Sequence, residues 1–78
     1  MRHEIYLPKI DKRTENCRLI EWRVEPGDRI KCGDILLVYE TQKASMILEA
    51  AVSGILETIW VTSGSWVRVS APVGVILT

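Results

Sequence analysis

Between two apolar stretches the sequence runs Tyr39-Glu40-Thr41-Gln42-Lys43-Ala44-Ser45-Met46, and Lys43 is the only basic residue between Lys31 and Arg68. Two apolar runs joined by so short a polar connection predict a hairpin, with Lys43 at its tip. An amine held there is flexible and sterically open, as an enzyme that attaches a group to a side-chain amine requires. A lysine in a turn is ordinarily only a solvated charge; the place of Lys43 at the centre of an internal repeat is what gives it weight. The other reactive side chains are poorly placed for chemistry. Cys17 and Cys32 lack the paired spacing of a zinc site or a Cys-x-x-Cys redox motif. Neither has an adjacent base, so both read as buried or idle thiols in a reducing compartment. His3 has no partner in sequence. The chain carries no glycine-rich phosphate loop, nucleophile elbow or metal-ligand cluster, and neither a catalytic residue nor a metal site is expected.

The elements that must position Lys43 are short. Pro8, Pro26-Gly27, Gly33, Gly54, Gly64, Pro72 and Gly74 cut the chain into segments too brief for ordinary helices. The apolar runs Glu4 to Leu7, Leu19 to Val24, Ile35 to Tyr39, Met46 to Leu48, Ile55 to Val61 and Val73 to Leu77 are rich in β-branched and aromatic residues. They predict an all-β domain of about seven or eight short strands. Laid over itself with a shift of 37 positions, the chain matches Leu19 with Leu56, Val24 with Val61, Gly27 with Gly64 and Val38 with Val75. Trp22 then meets Ile59, Ile30 meets Val67 and Lys31 meets Arg68. Each half reads strand, glycine turn, short strand, strand. Two such halves, neither able to bury its apolar face alone, predict a flattened sandwich of two sheets related by a pseudo-twofold axis. Strand alternation makes Trp22 a core residue and turns Trp60 and Trp66 outward, either as a candidate contact patch or as indoles that a curling sheet partly buries.

Composition bounds the function. At 78 residues, 47% hydrophobic and 26% charged, the chain is one globular domain spanning residues 1–78, too small for a multi-lobed enzyme. Ten basic and ten acidic side chains leave no basic excess, which argues against nucleic-acid binding. No apolar run approaches the roughly 20 residues that cross a bilayer, so no membrane role is expected. With no apolar signal core after Met1-Arg2-His3-Glu4, the expected location is the cytoplasm, or an organellar matrix if a presequence has been removed.

The order of these features resembles that of the biotinyl/lipoyl attachment domains over nearly the whole chain. Ile5 to Ile10 is similar to the family's first strand, and Val24-Glu25-Pro26-Gly27-Asp28-Arg29-Ile30 to its first glycine turn. Gly33-Asp34-Ile35-Leu36-Leu37-Val38-Tyr39-Glu40 resembles the family's GDxLxxxE segment, followed by Glu40-Thr41-Gln42-Lys43-Ala44, Gly54-Ile55-Leu56 and the second turn at Gly64. The resemblance implies a barrel-sandwich fold whose modified lysine is Lys43. Lipoyl domains carry Asp-Lys-Ala where biotinyl domains carry a lysine between two methionines. Here Ala44 follows Lys43 and Gln42 precedes it, so the lipoyl pattern fits at all but one place. Gln42 and the zero formal charge depart from the acidic character of many lipoyl domains.

The resemblance implies a carrier without catalytic activity of its own, the mobile part of a dihydrolipoyl acyltransferase subunit. Lipoic acid, amide-linked to Lys43, would act as a swinging arm moving acyl groups and electrons between active sites of a 2-oxo acid dehydrogenase complex. The implied partners are a lipoate ligase or lipoyl transferase, the 2-oxo acid decarboxylase and dihydrolipoyl dehydrogenase. Glu40, Thr41, Gln42, Ala44 and Ser45 would present the lysine to them, helped by the connection 9–16. The domain itself is expected to be monomeric. Two alternatives stand beside this: a biotin carboxyl carrier, and an unmodified interaction module that binds a partner through Trp60 and Trp66.

Overall fold

The structure is a computed structural model that describes residues 1–8 and 16–78. Among them the regular elements are eight strands: β1 Arg2–Tyr6, β2 Asn16–Trp22, β3 Arg29–Ile30, β4 Ile35–Glu40, β5 Ser45–Glu49, β6 Gly54–Ile59, β7 Trp66–Arg68 and β8 Pro72–Leu77. They form two antiparallel four-stranded sheets, ordered β1-β8-β6-β3 and β5-β4-β2-β7. The connection 9–15, part of the expected partner-facing loop, lies outside the described residues.

The predicted repeat is present strand by strand. A shift of 37 carries β4 onto β8 residue for residue and brings β2 and β3 onto β6 and β7, while β1 flanks β8 as β5 flanks β4. The turns repeat as well. Gly27 N–H donates to the Leu56 carbonyl at 2.7 Å, and its counterpart Gly64 N–H donates to that of Leu19 at 2.6 Å. Leu56 N–H returns to the Asp28 carbonyl at 3.0 Å, as Leu19 N–H returns to that of Ser65 at 2.8 Å. Each half therefore clips its glycine turn onto the first long strand of the other. Both glycines have positive φ, 96° and 89°, where a Cβ is costly. The aspartates that follow glycine in the first half close their own turns: Asp28 Oδ2 accepts Glu25 N–H and Asp34 Oδ2 accepts Lys31 N–H, each at 2.8 Å.

The core lies between the sheets and includes Leu19, Leu37, Tyr39, Leu56, Val73 and Ile76, each at most 1% exposed. Among the described residues the core holds no charged side chain, and its polar side-chain hydrogens are those of the Tyr39 hydroxyl and the Cys17 thiol. Where Ile35 and Leu37 bracket a bulge in β4, the consecutive Leu36 and Leu37 both turn inward, against simple alternation. Trp22 is half-buried against the core and not engulfed by it. Its indole N–H donates to the Val61 carbonyl at 2.7 Å, and that polar edge, needing a partner, holds the ring at the rim. Trp60 and Trp66 are 49% and 72% exposed, as alternation predicts. They stand on different sheets, Trp60 just after β6 and Trp66 at the start of β7, so the chain between them passes from one layer to the other.

Candidate functional site

The tip begins where β4 and β5 stop pairing. Glu40 and Ser45 form their last register pair, and Thr41 N–H donates to the Ala44 carbonyl at 2.9 Å. That leaves a two-residue loop, Gln42-Lys43. Two-residue hairpins usually take mirror-image turns with positive φ and favour Asn-Gly. Among the described residues no non-glycine residue has positive φ, so this loop is built from ordinary backbone and needs other support. Thr41 supplies it. Its hydroxyl oxygen accepts N–H bonds from both Lys43 and Ala44, each at 3.2 Å, and lies 3.2 Å from the Ala44 carbonyl, to which its own O–H can donate. One side chain thus satisfies the amides of the lysine and of the residue after it, which solvent would otherwise compete for.

Below the loop the hairpin is anchored through Tyr39, 1% exposed. Its O–H points at Met46 Sδ across the strand pair at 3.9 Å. Burial, and secondarily the nearby Cys17, push the Tyr39 hydroxyl above its usual range, so it stays a neutral packing group. Gln42, Lys43, Ala44 and Ser45 are exposed, as is Glu40, while Thr41 is half-buried beneath them. The expected presenting residues are therefore together at the tip. Thr41 differs from the rest, since its hydroxyl is engaged within the turn. A threonine two residues before an exposed lysine was the available sign of that role.

The arrangement offers an accessible primary amine on a positioned backbone, with small side chains at Ala44 and Ser45 leaving a modifying enzyme room to approach. Among the tip residues 40–45 the only ionisable side chain besides Lys43 is Glu40, at the last strand pair. Among the described residues no group of three or more His, Cys, Asp or Glu side chains could hold a metal ion. The two thiols take no part: both are free, Cys17 is fully buried, and burial pushes its thiol up from the ordinary range. Cys32 is exposed and precedes β4, whose six residues, at about 3.3 Å each, put it roughly 20 Å from the tip. A small all-β body displaying one lysine on a strengthened hairpin is the form of a carrier domain.

Comparison with known proteins agrees with that form. The profile of the biotin/lipoyl family, described as biotin-requiring enzymes, matches residues 3–76. The chain belongs to the biotin/lipoyl attachment family. It is 36% identical over 73 residues to the dihydrolipoyllysine-residue acetyltransferase component of the pyruvate dehydrogenase complex of Rhizobium meliloti, covering 92% of this chain and 16% of that one. It is 33% identical over 73 residues to the dihydrolipoyllysine-residue succinyltransferase component of the 2-oxoglutarate dehydrogenase complex of Bacillus subtilis, covering 94% of this chain and 18% of that one. A pyruvate dehydrogenase E1 component subunit beta of Rhizobium meliloti is 32% identical over 75 residues, 95% of this chain and 16% of its own length. The chain thus spans less than a fifth of these relatives. Its fold is that of the lipoyl domain of the 2-oxoglutarate dehydrogenase complex from Azotobacter vinelandii, with a TM-score of 0.80 at 21% identity, covering 96% of this chain and 95% of that one.

Proposed function

We propose that the chain is a lipoyl carrier domain in which lipoic acid is amide-linked to Lys43, serving a 2-oxo acid dehydrogenase complex. The observation that carries this reading is the position of Lys43 at the head of a two-residue loop held by Thr41, in a chain that the family matches over residues 3–76. The residues present fit the group. An amide at Nζ removes the lysine's charge and needs no pocket, only access, and the tip residues are exposed. When bound, the lipoyl group supplies a dithiolane that takes up an acyl group with two electrons and passes them on. The chain's own contribution is mechanical. Thr41 keeps the backbone of Lys43 in one orientation for a lipoate ligase or transferase, and the paired strands behind it give the arm a rigid base. Ala44 and Ser45 leave the approach open, while Glu40 and Gln42 give the ligase and a 2-oxo acid decarboxylase polar groups to recognise. Tethering raises the arm's effective concentration at each site it visits, dihydrolipoyl dehydrogenase included.

The deciding experiment is intact mass after incubation with lipoate and a lipoate ligase, in parallel with biotin and a biotin ligase. The expected result is a lipoyl increment that disappears in Lys43→Gln, with the variant's stability within about 0.5 kcal/mol of the parent because an exposed tip contributes little packing. A biotinyl increment would move the chain to the carboxyl carriers. No increment on folded protein would make it an interaction module.

A further inference from the structure

We propose that the outer face of the tip-bearing sheet, centred on Trp66, is a resting site for the end of the lipoyl arm, an inference that rests on the lipoyl reading of Lys43. Trp66 is 72% exposed, and its place in the sheet is specific. It pairs with Arg18, Arg18 pairs with Glu40, and Glu40 pairs with Ser45. These four residues form one row across all four strands, and its Glu40-Ser45 end is the last pair before the loop that carries Lys43. The row faces outward, because Cys17 and Val67, which flank Arg18 and Trp66 along their strands, are buried, as is Tyr39 beside Glu40. Two strand spacings, about 10 Å at roughly 4.8 Å each, separate Glu40 from Trp66. The arm starts at Lys43, three residues past Glu40 and up to about 10 Å farther along the hairpin, so it must lie nearly extended to bring its ring to Trp66. Ile20 and Ile47, 37% and 49% exposed, continue the apolar surface on the same face.

The repeat sharpens the point. In the other half the position of Trp66 is taken by Arg29, and the position of the Lys43 loop is taken by the chain termini, where Met1 N and the Thr78 carbonyl meet at 2.9 Å. The indole stands on the sheet that carries the lysine, and arginine on the sheet that carries the termini. The chemistry of contact is suitable. Dithiolane sulfurs are soft and polarizable and pack favourably against an aromatic ring. The arm's methylenes would cross the aliphatic stem of Arg18, whose charged end can stay in water. A tether of this length gives an effective concentration in the millimolar range. A contact of millimolar affinity is then about half occupied, yet yields readily to a partner's active site. Between visits it would shield the disulfide from small thiols.

The test uses lipoylated domain with the increment at Lys43 confirmed by mass, beside unmodified domain, octanoylated domain as an arm without sulfur, and Trp66→Lys in each state. A disulfide in contact with an indole quenches its fluorescence. Lipoylation should lower the emission of Trp66, taken as the difference between parent and Trp66→Lys, about twofold, as half occupancy requires. Reduction of the dithiolane should restore it, and octanoylation should shift the Trp66 indole N–H resonance without quenching. A mass-verified lipoyl domain whose Trp66 emission and resonance match the unmodified protein overturns the resting site and leaves the lipoyl reading intact. Failure of Lys43 to take lipoate overturns both.

Discussion

Thr41 and Lys43 divide the work of the tip. The lysine supplies the reactive atom, and the threonine supplies the geometry by accepting N–H bonds from Lys43 and Ala44. Thr41→Ala leaves those two amides to solvent and should lower stability by about 1 kcal/mol, seen as a drop in the thermal midpoint. Modification by a lipoate ligase should slow as well, since the lysine backbone loses its orientation. Thr41→Ser keeps the hydroxyl and should restore most of both. Equal losses in the alanine and serine variants would mean that the methyl group's packing, and not the hydroxyl, is what the turn needs. At this scale Lys43 was legible from its position between two halves of a repeat and from the residues around it. The role of Thr41 was not, because motif reasoning assigns the residues beside a modified lysine to recognition and cannot see which hydroxyls are already engaged. The row from Ser45 to Trp66 was hidden for a different reason: it joins β7 to β2 and β4, a pairing that no sequence spacing displays.

The elements were legible through punctuation, and their edges were not. The long strands fall on the expected apolar runs, but β1 starts at Arg2, because Arg2 and His3 pair with Leu77 and Ile76, a ladder that is indifferent to side-chain polarity. Val24 and Val61, expected as strand ends, lie beyond them. At those points Arg23 N–H bonds the Leu36 carbonyl and Trp60 N–H that of Val73, at 2.8 and 2.9 Å, as the chain turns away. The glycine turns belong to this scale. A Cβ at Gly27 or Gly64 would meet nothing within 4 Å, so the cost of alanine there is backbone strain alone. Since the two turns are equivalent and each clips onto the other half, Gly27→Ala and Gly64→Ala should each cost about 1–2 kcal/mol in chemical denaturation, with an unchanged denaturant slope. Markedly unequal losses would show that the two clips do not contribute alike.

Across the whole molecule the repeat is faithful in backbone and unequal in volume, and the core reconciles the two. Trp22 in one half corresponds to Ile59 in the other, while Gly74 corresponds to Leu37. The larger side chain of one pair of positions is therefore offset by the missing side chain of the other. The structure shows the join directly: a Cβ on Gly74 would lie 3.2 Å from the Trp22 ring and 2.9 Å from the Thr58 carbonyl, so the indole occupies room that bare backbone leaves. Trp22, expected in the core, thus packs part of its ring over Gly74 while its N–H, satisfied on Val61 from the other half, holds it at the rim. Close packing makes such positions interdependent. Gly74→Ala alone should cost about 1–3 kcal/mol by overpacking, and Trp22→Ile alone should lose buried area and the Val61 bond. Combined, the smaller isoleucine vacates the space into which the alanine methyl projects. The double variant should therefore lose less than the sum of the single losses, by about 1 kcal/mol, within the range for residues in contact. Urea unfolding of the four proteins measures that difference. Strict additivity would mean that the Thr58 carbonyl alone resists a side chain at position 74, and that the halves are matched in backbone without being matched in volume.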